Sequence, residues 1–218
     1  METRMIRNAR TRAVPASVGL LGGLVIVGVG GVAVAEETGS DGVEVGVTIQ
    51  ERQAGALSLS VAAGDETLVE VDGASDDYRE FTGVLPDVTV TDTRSAAPEG
   101  VYWYVTGQAS DFVGTTGQDP ITPDHLGWAP TLVTEGNGEV AEGEEVLTSI
   151  DESTNPSVPN NVGLAGEELL QLALDSEDAR AANGTWTANA ALTLKTPNDV
   201  EPGSYSSTLT LTLFEDTY

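Results

Sequence analysis

Along most of the chain, apolar and polar residues alternate with a period of two, which is typical of β-strands that bury one face. Turn signals such as Asp72-Gly73 and Pro202-Gly203 separate these runs. The predicted strands are Val43–Ile49, Leu57–Val61, Thr67–Val71, Tyr78–Val84, Val88–Thr91, Val101–Thr106, Trp186–Leu194 and Leu209–Leu213. Many short strands joined by polar turns predict an all-β sandwich or barrel. We expect Leu209–Leu213 to pair with Trp186–Leu194 across Pro202-Gly203.

Two segments depart from this alternation. Residues Glu167–Leu174 are rich in helix formers and begin with two glutamates that suit a helix N-terminus, so they predict a short helix. Leu170, Leu172 and Leu174 also fit a strand, which leaves both alternatives open. Residues 135–159 carry glutamates among glycines and then Ser, Thr, Asn and Pro, and they predict a long, exposed acidic loop.

The first 35 residues have the features of a signal peptide. Basic residues come first, at Arg4, Arg7, Arg10 and Arg12, and an uncharged apolar run follows over Val18–Val34. Ala33-Val34-Ala35 matches the small-x-small pattern that precedes a cleavage site. The pattern predicts a secreted protein that starts at Glu36, with residues 36–218 as its β domain. An uncleaved membrane anchor is the alternative, although the apolar run is slightly shorter than a membrane span.

Charge and composition exclude several classes of function. The chain has 218 residues, with nine basic, 35 acidic, one histidine and no cysteine. Residues 36–218 hold five of the basic and 34 of the acidic residues. Such an excess of carboxylates argues against nucleic acid and anionic membrane as direct partners, because phosphate binding needs clustered Lys and Arg. The absence of cysteine and of a second histidine excludes Cys-ligated and multi-histidine metal sites, and no calcium-loop spacing accompanies the carboxylates, so the sequence predicts no metal site and no cofactor. Bridging of surface carboxylates by cations is the alternative to a purely solubilising charge.

The sequence also contains no recognisable catalytic constellation. His125 lies beside Asp124, but no Gly-x-Ser-x-Gly nucleophile motif accompanies it, so its expected role is structural. A carboxylate pair for glycoside hydrolysis is expected by chance among so many acids, and the sequence singles none out. We therefore predict no catalytic residues and no enzymatic activity, with a secreted hydrolase as the least favoured alternative.

The region from Phe81 to Leu213 resembles the WxL domain of Gram-positive surface proteins, which is named for two Trp-x-Leu motifs. The residues that carry this resemblance are Val88–Arg94, Trp103-Tyr104-Val105, Gly184-Thr185-Trp186, Leu192-Thr193-Leu194, Pro202–Tyr205 and Leu209–Leu213. Val105 stands where the first motif has Leu, and Leu211 stands where the second has Trp, so the second motif is degenerate. The fold class expected is all-β, an antiparallel β-sandwich-like domain with at most one short helix.

The resemblance implies a secreted, cell-surface module that binds non-covalently to cell-wall polysaccharide or peptidoglycan. The alternative is a structural or assembly component that pairs with other exported surface proteins through strand edges. Exposed aromatic rings are the natural contacts for sugars, and the candidate ligand-binding residues are Tyr102, Trp103, Tyr104 and Trp128. Alternation along the strand places Tyr102 and Tyr104 on one face and Trp103 on the other, and the alternative to ligand binding by Trp103 is that it fills the core. Trp128 is expected in a loop and exposed.

Overall fold

A computed structural model describes residues 55–73, 75–154 and 156–218. These residues form eleven β-strands and one α-helix. In chain order they are β1 (Leu57–Val61), β2 (Val69–Glu70), β3 (Tyr78–Asp92), β4 (Val101–Ala109), β5 (Val113–Gly114), β6 (Leu126–Leu132), β7 (Val140–Glu142), β8 (Glu168–Ala173), α1 (Ser176–Ala182), β9 (Thr185–Pro197), β10 (Tyr205–Ser206) and β11 (Leu209–Thr217). The all-β fold class predicted from the alternation is confirmed.

Two antiparallel sheets make up the sandwich. The first sheet has the strand order β1-β3-β9-β6, with the short β2 also pairing with β3. The second sheet has the order β11-β4-β8-β7, and β5 and β10 form a separate ribbon. A hydrogen bond links the sheets directly, because the Gln171 side chain on β8 donates to the Val88 carbonyl on β3 over 3.4 Å.

The core lies between the inner faces of the two sheets. Its bulkiest members are Trp103 on β4, Trp128 on β6 and Trp186 on β9, each at most 2% exposed. The Trp128 ring packs directly against Gly107 of the opposite sheet, where a Cβ atom would come within 2.6 Å of the indole. A glycine at this position therefore gives the indole the space that it fills.

Strand β3 joins two segments that the sequence predicts as separate strands. The pairing of β3 with β9 shifts register between Leu85 and Val88, which marks a β-bulge at Pro86 and Asp87. Leu85 is buried before the bulge, and Val88 and Val90 are buried after it. The inward positions therefore change from odd to even numbers. The alternation therefore changes phase at the bulge, and Pro86 cannot donate a ladder hydrogen bond. For these two reasons the sequence predicts two strands where the structure has one.

The predicted pairing of the last strand is wrong. β11 pairs with β4, from Leu209 opposite Ala109 to Thr217 opposite Val101. β9 instead lies between β3 and β6 in the other sheet. Between β9 and β11, the chain pairs through β10 with β5, and this connection carries it from one sheet to the other. A turn signal between two strands therefore does not prove that they pair with each other. In a sandwich, the chain can cross at such a turn from one sheet to the other.

The segment expected to hold the helix is a strand, and the helix follows it. β8 buries Leu170, Gln171 and Ala173 between its neighbours, so burial favours the strand alternative. Helix α1 begins after Asp175, whose side chain accepts a hydrogen bond from the Asp178 N–H over 2.9 Å. That contact is an N-cap, which fixes the start of the helix beyond the leucines.

The expectation of an exposed acidic loop over residues 135–159 is also wrong in part. The segment contains β7, and it buries Val140, Val146 and Thr148. Val146 exchanges backbone hydrogen bonds of 2.9 Å with Trp128 on β6. The apolar side chains among the glutamates explain this packing, because they cover the edge of the sandwich while the carboxylates face water.

The predicted signal peptide, residues 1–35, and the predicted strand Val43–Ile49 lie outside the described residues. Within the described ranges, no helix is both long enough and apolar enough to cross a membrane.

Candidate ligand-binding face

An aromatic row lies on the outer face of the second sheet. Tyr102 and Tyr104 are two residues apart on β4, so both point away from the core. Phe214 on β11 lies directly opposite Tyr104, and Tyr218 follows the end of the same strand. We refer to Tyr102, Tyr104, Phe214 and Tyr218 as the aromatic face. Antiparallel pairing of β4 with β11 therefore gathers four rings from two distant parts of the chain.

The four rings form a continuous series. The Tyr104 and Phe214 centroids are 5.0 Å apart with an interplanar angle of 20°. Tyr102 and Tyr104 are 5.9 Å apart at 19°, and Tyr102 and Tyr218 are 5.2 Å apart at 36°. These separations fall within the range of favourable aromatic pairs. Ring-to-ring contact therefore orders the side chains before any ligand arrives.

Apolar side chains extend the aromatic face across the sheet. Leu172 on β8 lies opposite Tyr104 and shares its outer side. Leu174 is 64% exposed, and its carbonyl accepts a hydrogen bond from the Tyr218 hydroxyl. Tyr218 itself is 78% exposed. The result is an apolar strip bordered by phenolic hydroxyls, which is the composition of a surface that binds a partly apolar ligand.

The surroundings of the Tyr102 phenol disfavour its ionisation. Desolvation raises the pKa of Tyr102, and the Asp216 carboxylate raises it further. Asp216 lies directly opposite Tyr102 on β11. A phenol is protonated at neutral pH in any case, so the raised pKa extends its role as a hydrogen-bond donor to more alkaline conditions.

The structure separates the four predicted ligand-binding residues into two pairs. Tyr102 and Tyr104 lie together on the outer face, as the alternation predicts. Trp103 is only 1% exposed and fills the core beneath them, so it offers no surface to a ligand. The prediction that Trp128 is exposed in a loop is wrong, because Trp128 lies on β6 and is 2% exposed. Its neighbours in sequence, Gly127 and Ala129, belong to the same strand, and its indole packs between the sheets.

Sequence reasoning missed Phe214 and Tyr218. Their even numbering, opposite in phase to Leu209, Leu211 and Leu213, already places Phe214 on the outer side of β11. Pairing β11 with the wrong strand concealed that it lies beside Tyr104. The alternation in β11 therefore predicts which side of the sheet the Phe214 ring faces, but it does not predict that Tyr104 is its neighbour.

An ionic cluster fixes the end of the sandwich beside the aromatic face. Arg94 donates to both oxygens of Asp92, at 2.9 and 2.6 Å, and contacts Glu215 at 2.8 Å. Burial opposes ionisation of Asp92, but the Arg94 hydrogen bonds outweigh it and lower the Asp92 pKa. Glu215 immediately follows Phe214 on β11. The cluster therefore ties the start of the β3–β4 connection to the strand that carries half of the aromatic face.

The other polar candidates have structural contacts. His125 Nδ1 lies 3.2 Å from the Thr122 hydroxyl and 3.4 Å from the Asp124 carboxylate, in a short turn before β6. Across the described ranges, no group of three or more His, Asp or Glu side chains is arranged to hold a metal ion. The outer aromatic row thus remains the best-formed candidate surface.

Comparisons with known proteins identify no family. No protein-family model matches the chain, and no curated protein matches it. Among solved structures, the chain is similar to a family 123 glycoside hydrolase from Clostridium perfringens, described for glycolipid glycan hydrolysis. The TM-score is 0.30 and the identity 17%, over 62% of this chain and 18% of that chain. The chain therefore spans less than a fifth of the hydrolase, and a TM-score this low indicates neither a shared fold nor a shared activity.

Proposed function

We propose that this protein is a secreted, non-catalytic surface module that binds cell-wall polysaccharide or peptidoglycan through the aromatic face. The observation that supports this proposal is the continuous row of Tyr102, Tyr104, Phe214 and Tyr218 on the outer face of the second sheet. The resemblance to WxL domains supports the same assignment.

The chemistry of the aromatic face suits a glycan. A pyranose ring presents C–H groups on its flat sides and hydroxyls around its rim. Aromatic rings offer a flat apolar surface to these C–H groups, while Tyr102 and Tyr104 offer phenolic hydroxyls that can hydrogen-bond with the sugar hydroxyls. Rings already in contact lose little conformational freedom on binding, which favours affinity.

The charge of the protein restricts how it attaches. With a net charge of −26 for the whole chain, the protein is repelled by anionic wall polymers at low ionic strength. An uncharged aromatic contact acts only at short range. Salt at 0.1 M screens the charge repulsion beyond about 10 Å, so the protein can then approach the wall closely enough to make that contact. Attachment through the aromatic face should therefore strengthen with moderate salt and should not require divalent cations.

The test is a sedimentation assay of the secreted protein with purified wall, comparing wild type with a Tyr102→Ala, Tyr104→Ala, Phe214→Ala variant. We expect the variant to lose binding by at least about tenfold. The matched control is Val84→Ala with Val113→Ala, because these side chains are 54% and 59% exposed but lie away from the aromatic face. A chelator should leave wild-type binding unchanged.

Two outcomes would contradict the proposal. Full binding by the triple variant, abolished by a chelator alone, would assign attachment to cations shared between carboxylates and wall phosphates. An absence of wall binding under every salt condition would favour the second candidate, an assembly component that pairs with exported partners. The observation behind that candidate is the outer edge of β11, which has no strand partner among the described residues.

A further inference from the structure

A carboxylate lies among the rings of the aromatic face. Asp216 on β11 lies directly opposite Tyr102 on β4, so the two side chains share the outer side of the sheet. Phe214 lies two residues before Asp216 on the same strand, and alternation places it on this side as well. Tyr218 lies two residues after Asp216, and its ring contacts the Tyr102 ring. Asp216 therefore has aromatic neighbours before it, after it and across from it.

The series of rings runs around Asp216. It begins at Phe214 on β11 and crosses to Tyr104 on β4. It then continues through Tyr102 and returns to Tyr218, just after the end of β11. Successive ring centroids are 5.0, 5.9 and 5.2 Å apart. Because both ends of the series lie on the side of β11, the rings form an arc, and the carboxylate lies on the open side of that arc.

No cation neutralises this carboxylate within the part of the chain that the structure describes. None of the ion pairs found there includes Asp216, and its Oδ1 accepts a hydrogen bond of 2.8 Å from the Thr217 N–H. Arg94 also contacts β11, but its partner there is Glu215, at 2.8 Å. Glu215 lies opposite the inward-facing Trp103, so its side chain projects to the other side of the strand. The aromatic face therefore has a negative potential.

This potential acts on the rings themselves. Desolvation raises the pKa of Tyr102, and the Asp216 carboxylate raises it further. The face of an aromatic ring is also negative, because the ring quadrupole concentrates electron density above and below the plane. A cation is therefore attracted both by the carboxylate and by the rings, whereas an anion is repelled by both.

The arrangement suits an organic cation rather than a metal ion. Calcium takes about six to eight oxygen ligands, whereas Asp216 is bordered by aromatic carbon. An ammonium group on a carbon skeleton can place its charge against the carboxylate and its C–H groups against the rings. A sugar with a free amine combines this cation with the flat pyranose ring already expected on the aromatic face.

We propose that the aromatic face binds glycan whose amino sugars are not acetylated, with the protonated amine held between Asp216 and the rings of Tyr102 and Tyr218. This inference rests on the proposed function, since it specifies which sugars the aromatic face takes. The net charge of −26 for the whole chain supports it, because an acidic protein attracts a cationic ligand before contact is made.

A pair of soluble tetrasaccharides tests the proposal in the full-length protein. One is a β-1,4-linked tetramer of glucosamine, and the other is the same tetramer with every amine acetylated. Titration calorimetry at a pH that keeps the amines protonated measures both affinities in the absence of anionic wall polymers. We expect the free-amine tetramer to bind about tenfold more tightly. Tetramethylammonium chloride should displace it more effectively than sodium chloride at equal ionic strength, because an organic cation binds the rings as well as screening charge.

Single substitutions assign the preference to the aromatic face. Asp216→Asn removes the charge but keeps the shape of the side chain, so we expect the two tetramers to bind this variant within about twofold of each other. Tyr218→Leu removes the most exposed ring and should weaken binding of the free-amine tetramer several-fold. The matched control is Asp65→Asn, which removes another exposed carboxylate, in the connection between β1 and β2. This control should keep the preference of the wild type.

Three outcomes would overturn the proposal. Equal affinity for the two tetramers would do so, while loss of that binding in the triple alanine variant would still support glycan binding by the aromatic face. An equal loss of preference in Asp216→Asn and Asp65→Asn would show that overall charge selects the amine. A failure of both tetramers to bind would also overturn this inference, and the sedimentation assay with purified wall would then decide the proposed function separately.

Discussion

The two sides of the sandwich differ in how they are closed. On the side formed by β6 and β7, the segment after β7 folds over the sheet edge, and Val146 pairs with Trp128 by two backbone hydrogen bonds. The approach there is so close that a Cβ on Gly127 would lie 2.5 Å from the Val146 carbonyl. On the side formed by β1 and β11, by contrast, Leu59 and Leu211 face the core but remain only partly buried. We call these two sides the closed side and the β1–β11 side.

Alternating strands alone therefore do not complete a sandwich. Each sheet ends in a strand whose backbone groups and inward side chains need a cover. At the closed side the cover is a segment rich in glutamate, and its few apolar residues determine where it packs. At the β1–β11 side the inward leucines remain partly exposed. Substitutions on each side should therefore differ in their effect on the free energy of unfolding.

The largest effect is expected at the closed side, from Trp128→Ala. Removing the indole that packs on Gly107 leaves a cavity between the sheets, which should lower the free energy of unfolding by about 3–5 kcal/mol. Trp128→Phe is the control, because the Trp128 Nε1 has no hydrogen-bond partner among the described residues. We expect the control to retain most of the stability in urea denaturation. Equal stability of the alanine variant and wild type would contradict close packing at this side.

A somewhat smaller loss is expected from Arg94→Met at the end of the sandwich. The variant leaves the carboxylate of Asp92 buried without its guanidinium partner, which should cost about 3 kcal/mol at pH 7. The Asp92 pKa is lowered in the folded protein, so the pair stabilises the fold above the ordinary carboxyl pKa. That contribution is lost as the pH falls through the lowered pKa. Denaturation at pH 7 and below pH 4 should therefore show that the difference in free energy of unfolding between wild type and variant becomes smaller on acidification. An unchanged difference would contradict a stabilising ion pair.

At the β1–β11 side, Leu59→Ala should cost less stability than Leu126→Ala at the closed side. Leu59 is only partly buried, so we expect a loss of about 1 kcal/mol, whereas Leu126 is 4% exposed and should lose about 2 kcal/mol or more. An equal loss from the two variants would contradict this difference between the two sides. Both values come from the same denaturation series, so the comparison does not depend on the absolute stability.

The smallest effect is expected where the acidic segment is tied to the first sheet. Lys195 contacts Asp151 at 2.5 Å and Glu80 at 3.7 Å, and both partners are partly exposed. Lys195→Met should lower stability by only about 1 kcal/mol or less, because solvent screens a pair of this kind. Burial opposes the charge on Lys195, but the Asp151 contact outweighs it and raises the Lys195 pKa. The ion pair thus stabilises the fold below the ordinary lysine pKa, and this stabilisation is lost as the pH rises through the raised pKa. A difference in stability between wild type and Lys195→Met that increases at alkaline pH would contradict this assignment.

Local alternation predicted most of the strands, since β1, β4 and β11 overlap the runs that show it. It did not predict the partners, because hydrogen bonding between β11 and β4 joins residues about a hundred positions apart. The same limit applied to the aromatic face. Tyr102 and Tyr104 follow from a single strand, whereas the place of Phe214 beside Tyr104 follows only from the pairing.

The tryptophans show a second limit. Both Trp103 and Trp128 are buried, yet only Trp128 was predicted to lie in a loop, because Gly127 and Pro130 beside it are typical loop residues. In the structure Gly127 is required by the close approach of Val146, and Pro130 is accommodated within the edge strand β6. Glycine and proline here serve packing at a sheet edge rather than a turn.

The bulge in β3 has a consequence for how relatives of this chain can vary in length. Because the inward face changes from odd to even numbering between Leu85 and Val88, the two residues between them set the phase for the rest of the strand. Without the bulge, the two residues between Leu85 and Val88 would leave Val88 and Val90 facing solvent and Thr89 facing inward. Deleting Pro86 or Asp87 alone would remove the extra residue, so a regular strand would still point Val88 and Val90 inward. Insertions in the polar turns leave strand phase untouched. Lineages descended from a common ancestor should therefore differ in length at the turns, whereas a one-residue change in β3 at this position should occur together with gain or loss of the bulge.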